Sequence, residues 1–150
     1  MAVQPIPDRY HTLTPYLMGP GTLKLIEFLK KAFDAAETER VMGQGETVMH
    51  AEVKIGDSML MLSDGGGDWK AMPAVLYLYV ADADAMYKRA LAAGATSVME
   101  PVTQFYGDRH GGVKDPSGNV WWIATHVEDV SPEELTRRAE EYKRKQQSKG

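Results

Sequence analysis

Two periodicities alternate along this chain, apolar residues at every second position and apolar residues every third or fourth, and their order occurs twice. Leu13 to Met18 reads as a strand that Gly19-Pro20-Gly21 breaks. Thr22 is placed to cap a helix in which Leu23, Ile26, Leu29 and Phe33 recur at roughly helical spacing. Glu37 to Met42 and Val48 to Ile55 follow as strands, and Gly56-Asp57 turns the chain into Met59 to Leu62. After the flexible Gly65-Gly66-Gly67, Val75 to Val80 is again a strand. Asp82 then caps a helix over Ala83 to Ala93 that Gly94 ends. Ser97 to Glu100, Arg109 to Lys114 and Val120 to Thr125 supply three more strands.

The repeat predicts an α+β protein: two βαβββ units, at about residues 10–64 and 75–127, curl their sheets around a shared cleft. Together they make one domain over residues 1–127, and residues 128–150 are a helical extension. Ser131-Pro132-Glu133-Glu134 is a strong helix start. In the helix that follows, Leu135, Ala139 and Tyr142 form a narrow apolar stripe among interspersed charges. Such a helix docks one stripe on its own domain or on a sister subunit.

Composition narrows the function classes. With 43% hydrophobic and 25% charged residues the 150-residue chain has the make-up of an ordinary globular protein. A net charge of -4 gives no basic footprint for nucleic acid. No apolar run approaches the roughly 18 residues that span a membrane, and the N-terminus has no apolar signal core. Zero cysteines exclude disulfides, thiolate metal sites and cysteine nucleophiles together. The expectation is a cytoplasmic protein with neither nucleic acid nor membrane as partner.

The segment Val113 to Ile123 carries the most specific signal. Asp115-Pro116-Ser117-Gly118-Asn119 is a tight turn between two apolar strands. Turn and strand together resemble the end of a module of the vicinal oxygen chelate superfamily, which includes glyoxalase I, bleomycin-resistance proteins and ring-cleaving dioxygenases. The segments His50-Ala51-Glu52, Gln104-Phe105-Tyr106-Gly107-Asp108-Arg109 and Thr125-His126-Val127-Glu128-Asp129-Val130 resemble a small uncharacterised glyoxalase-like subgroup. The resemblance implies the paired-module fold over roughly Tyr10 to Val127, and a homodimer, because such modules pair or swap to complete a cleft.

It also implies where a divalent metal would sit in metal-dependent members. Those places fall on Thr14, on the end of the fourth strand among Met61, Leu62 and Ser63, on Val75, and on Trp122. Val and Trp have no donor for a hard or borderline cation, so no resident metal is expected.

By strand alternation, the face with Thr14 also carries Tyr16 and Met18, the face with Val75 carries Tyr77 and Tyr79, and the face with Trp122 carries Ala124 and His126. His50 and Glu52 alternate with apolar neighbours. The loop Gln104 to Arg109 reads as a rim, with Gln104, Tyr106 and Arg109 available to a ligand, or as a segment held by an internal Asp108–Arg109 ion pair. His11 and His110 read as exposed. An aromatic lining with few polar groups suits a planar or hydrophobic small molecule, and sequestration without chemistry is the first expectation. The alternative is a lyase, isomerase or dioxygenase in which His50 and Glu52 act as an acid/base pair or hold one divalent metal ion.

Overall fold

The computed structural model describes residues 2–149. Its elements run β1 (Tyr16–Met18), α1 (Thr22–Phe33), β2 (Ala36–Met42), β3 (Val48–Ile55), β4 (Ser58–Ser63), β5 (Val75–Tyr79), α2 (Ala83–Ala92), β6 (Thr96–Thr103), β7 (Asp108–Lys114), β8 (Val120–His126) and α3 (Pro132–Ser148). The strands form two four-stranded sheets, ordered β1-β4-β3-β2 and β5-β8-β7-β6. In each sheet the first strand lies parallel to the last, and the other pairings are antiparallel. A parallel pair needs a crossover rather than a hairpin, and each unit supplies one through its helix. The fold is the expected α+β pair of βαβββ units with a C-terminal helix.

The core lies where the helices meet the sheets. α1 buries Leu25, Ile26, Phe28, Leu29, Ala32 and Phe33, a stripe at three- and four-residue spacing. Phe33 reaches into the second unit, its ring 5.0 Å from that of Trp121 on β8. Burying a side chain of that size contributes about 1.5–3 kcal/mol, so this contact helps weld two similar units into one core. Arg89 of α2 adds a forked pair to Asp34 at the end of α1, at 2.8 and 2.9 Å.

The turn before β8 sets which face each tryptophan takes. Asp115 accepts the amides of Ser117 and Asn119, and its second oxygen accepts the indole N–H of Trp121 at 2.8 Å. Trp121 is thereby fixed toward the core, and alternation sends Trp122 to the opposite face.

Several local readings differ from the sequence expectation. β1 starts at Tyr16, because Pro15 precedes it, and Leu13 stands 87% exposed. Thr22 is the first helical residue rather than the cap. The orphan amides of Gly21 and Thr22 instead donate to Asp64, whose other oxygen takes the amide of Val48. A long-range carboxylate thus ties the start of α1 to two strands. β6 runs on to Thr103 through Pro101, which an edge strand tolerates. Among the described residues no helix is long and apolar enough to cross a membrane.

Candidate functional site

On the second sheet, register gathers the polar and aromatic side chains. Tyr77 pairs with Trp122 and Tyr79 with Ala124 between β5 and β8; His110 pairs with Ala124 and Gly112 with Trp122 between β7 and β8. Cross-strand partners share a face, so Tyr77, Tyr79, Asp108, His110 and Trp122 stand together. Asp108 is buried and is the hub. Its Oδ2 accepts the hydroxyls of Tyr77 and Tyr79, each at 2.8 Å, and its Oδ1 accepts His126 Nδ1 at 2.9 Å. His126 Nε2 donates in turn to Asp129 at 2.7 Å.

The protonation states follow from these contacts. Burial pushes the Asp108 carboxyl up, but His126, Tyr77 and Tyr79 together bring it below the ordinary carboxylate range. Tyr77 is pushed well above the usual phenol value, by burial first and then by Asp108, and Asp108 raises Tyr79 as well. Asp108 and then Asp129 raise His126, whose two nitrogens both face carboxylates, so it is held as the imidazolium.

His110 is the neutral counterpart. Burial lowers it, and its ring stacks on Trp122 with centroids 5.1 Å apart and planes 24° from parallel. Tyr77 gives its proton to Asp108, so its oxygen can only accept the Nδ1 proton of His110, 3.1 Å away. Nε2 is then bare, and faces Gln104 Nε2 at 3.2 Å and Tyr106 Oη at 3.4 Å. Gly112 makes room for the stack: a Cβ there would sit 2.6 Å from the Trp122 ring.

The rim is held from behind. Gly107 turns the loop at φ +98°, where a Cβ would collide with the Glu128 carbonyl. The Phe105 ring stands 5.1 Å from that of Tyr142 on α3, and Arg138 donates to the Phe105 carbonyl at 3.0 Å and to Glu128 at 2.7 Å. Tyr142 and Arg138 of α3 therefore meet the chain's own domain, at the loop carrying Tyr106. Arg109 points to the other side of β7, where it grips Asp84 of α2 at 2.8 and 3.0 Å. The expected Asp108–Arg109 pair does not form, because adjacent strand residues face opposite ways.

The first sheet carries a fainter version of the same pattern. Tyr16 pairs with Met61 and Met61 with Glu52, as Tyr77 pairs with Trp122 and Trp122 with Gly112. Tyr16 Oη lies 3.4 Å from His50 Nδ1, the counterpart of Tyr77 and His110. Glu52 is buried, grips Arg9 at 2.7 Å and lies 3.7 Å from His50. Burial raises its carboxyl, yet Arg9 and His50 hold it below its ordinary value. The buried Tyr10 hydroxyl is itself pushed up to about 12, first by burial and then by Glu52.

Of the residues singled out from sequence, Tyr77, Tyr79, Gln104, Tyr106 and Trp122 fall in one group, and Tyr16, His50 and Glu52 in another. Among the described residues no hydrogen bond or ring contact joins the two groups. Thr14 enters neither; its hydroxyl lies 3.5 Å from the His11 carbonyl. Arg109 enters neither. Asp108 and His110 were missed, and His110, expected to be exposed, is buried at the centre. Superimposing the repeats would have found it, since His50 maps onto it.

A cavity of about 740 Å³ runs along the free edge of β5 and shares Tyr77 and Tyr79 with the group, with Phe33, Ile55 and Met86 as apolar walls. A second, of about 520 Å³, lies between Tyr16, Met18, Met49 and Trp69. Trp69 is exposed at the base of a tight turn that its own backbone hydrogen bonds to Gly66 close. Among the described residues no three His, Cys, Asp or Glu side chains are grouped to hold a metal ion. The places implied by the resemblance, including Val75 and Trp122, do not fit one.

Comparison with known proteins agrees with this architecture. The protein TioX from Micromonospora sp. ML1 superposes with a TM-score of 0.64 at 22% identity, over 78% of this chain and 99% of that one. A glyoxalase/bleomycin resistance protein/dioxygenase family enzyme from Burkholderia phytofirmans superposes at 0.62 with 18% identity, over 76% and 97%. Uncharacterised proteins of Mycobacterium bovis and Mycobacterium tuberculosis are each 38% identical, covering 82% of this chain and 88% and 79% of their own. The family model described as Glyoxalase/Bleomycin resistance protein/Dioxygenase superfamily matches residues 17–123, and the chain belongs to that superfamily.

Proposed function

We propose that this chain binds a planar or hydrophobic small molecule on the face formed by Tyr77, Tyr79, His110 and Trp122, and that it sequesters the compound without a metal. The observation that carries this reading is an aromatic surface left open yet held in place. Tyr77 and Tyr79 are 42% and 62% exposed, while their hydroxyls are pinned by one buried carboxylate. Exposed aromatic area of this kind marks binding surfaces, and pinned rings spare a ligand the cost of ordering them. The superfamily's name spans resistance proteins as well as enzymes, so binding alone is a recognised outcome on this fold.

The acid/base reading of His50 and Glu52 has less support. A general base needs a free lone pair within reach of substrate, and the Glu52 carboxylate is buried and committed to Arg9.

A homodimer belongs to the same proposal. Met49, Trp69, Met72 and Val75 are all more than half exposed, and a second copy would cover such residues. Sedimentation should give about twice the 16.6 kDa chain mass; the single-chain mass at micromolar concentration would refute it.

The binding function is tested with chelator-treated protein and a panel of fused-ring aromatics, read by calorimetry. Binding should survive chelation, be lost in Trp122→Ala and be unchanged in His50→Ala. Binding that needs added metal, or that fails in His50→Ala alone, would overturn the proposal.

A further inference from the structure

Asp108 decides which way the hydrogen bonds on this face run. An ionised carboxylate accepts and cannot donate, so the phenolic protons of Tyr77 and Tyr79 are both committed to its Oδ2 at 2.8 Å. Tyr77 then offers only lone pairs, and His110 Nδ1–H occupies one of them. Tyr79 also offers only lone pairs, and among the described residues no other group reaches its oxygen. Its ring stands 5.2 Å from that of Tyr77 and is largely open. Behind both lies a buried anion, with Asp129 beyond it and the His126 imidazolium offsetting one of the two charges. Burial and Asp108 raise the Tyr77 hydroxyl, and Asp108 raises that of Tyr79, so both stay protonated across the neutral range.

We infer that Tyr79 Oη, with the Tyr77 ring beside it, is a subsite for the hydrogen-bond donor of a planar aromatic ligand: a ring hydroxyl or N–H, neutral or cationic, and not a carboxylate. The inference rests on the binding function proposed above and adds the chemical class of the ligand. A donor on the ring finds an acceptor whose own proton is already spent. An ether at the same place has nothing to give. A carboxylate sets acceptor against acceptor, with Asp108 behind the site to repel it. A fully pinned acceptor can thus discriminate between ligands of nearly identical shape.

Three probes with one ring system separate the outcomes: 2-naphthol, 2-methoxynaphthalene and 2-naphthoate, titrated by calorimetry into chelator-treated wild type and Tyr79→Phe. Tyr79 is open enough that its phenyl variant should fold normally. Wild type should bind naphthol about tenfold more tightly than the ether, equivalent to about 1.4 kcal/mol, with naphthoate weakest. Tyr79→Phe should erase the naphthol preference, bringing naphthol and the ether to about equal affinity. Equal affinity for naphthol and ether, naphthoate binding as well as naphthol, or a preference that survives in Tyr79→Phe would overturn the inference and leave the proposed function standing. If none of the three binds, both fall together.

Discussion

Replacing Gly112 by alanine tests the geometry of the aromatic face with a single methyl group. Gly112 lies opposite Trp122, and its backbone is not in the left-handed region, so alanine meets no conformational penalty there. The cost is steric alone. The new Cβ would stand 2.6, 2.8 and 3.1 Å from three atoms of the Trp122 ring, where ordinary contact begins at 3.4 Å. The indole must therefore move by about 0.8 Å or more, and cannot do so without disturbing its stack on His110. Overpacking of this size costs about 2 kcal/mol, or roughly 4–8 °C in Tm for a domain of this length. Urea unfolding followed by far-UV circular dichroism measures the cost, and near-UV dichroism reports the tryptophan packing. In a Trp122→Ala background the clash has no partner, so the same substitution should cost almost nothing, and the coupling between the two changes should nearly equal the single-mutant loss. An unchanged Tm for Gly112→Ala, or an equal loss in both backgrounds, would refute the packing described here.

Three further outcomes follow from the same contacts. Asp108→Ala strips the acceptor from two tyrosines and His126, and should lower unfolding free energy by about 3 kcal/mol; a loss under about 0.5 kcal/mol in a urea titration would show that the hub contributes little. Stability should fall on both sides of pH 6.5 for opposite reasons, measured as urea midpoints against pH. Folded His110 lies below its ordinary 6.5, so the unfolded chain takes up the proton first and stability drops as pH falls below that value; His110→Gln should flatten this limb. Folded His126 lies above 6.5, so its contribution is full below that pH and is lost as pH rises through the raised value; His126→Gln should flatten this second limb, and an unaltered profile in either variant would contradict the assignment. Finally, the double variant Arg138→Ala/Tyr142→Ala should release α3, which buries no residue, raising amide exchange in residues 132–148 while the sheets keep their protection. Loss of protection in β7 and β8 would instead make α3 integral to the fold.

The architecture was legible because local signals agreed with one another. The Asp115 turn, the Asp82 and Ser131 caps and the alternation in β8 each specify their own element, and the repeat of their order supplied the topology. The α1 cap was not legible, since its acceptor, Asp64, lies more than forty residues along the chain. The site was half legible for the same reason. Alternation placed Tyr77, Tyr79 and Trp122 on open faces, but said nothing of what pins them. Adjacency offers Asp108 and Arg109 either as a pair or with Arg109 free for a ligand, whereas a strand sends neighbours to opposite sides, one to the tyrosines and one to α2. His110 was hidden by its setting: the sequence around it, Gly107 to Gly112, resembles a turn, yet its glycines serve the close approach of Glu128 and Trp122. The internal repeat held the missing information, because the Tyr16–His50 contact prefigures Tyr77–His110.

The central claim is that the Tyr77, Tyr79, His110 and Trp122 face receives a planar ligand without metal. Side-chain NMR of chelator-treated protein, labelled at histidine, tyrosine and tryptophan and titrated with 2-naphthol, addresses it most directly. The account expects saturable shifts at His110, Trp122, Tyr77 and Tyr79, with His110 keeping its proton on Nδ1 before ligand is added. Shifts confined to His50 and Tyr16, or none until a divalent metal is supplied, would contradict it.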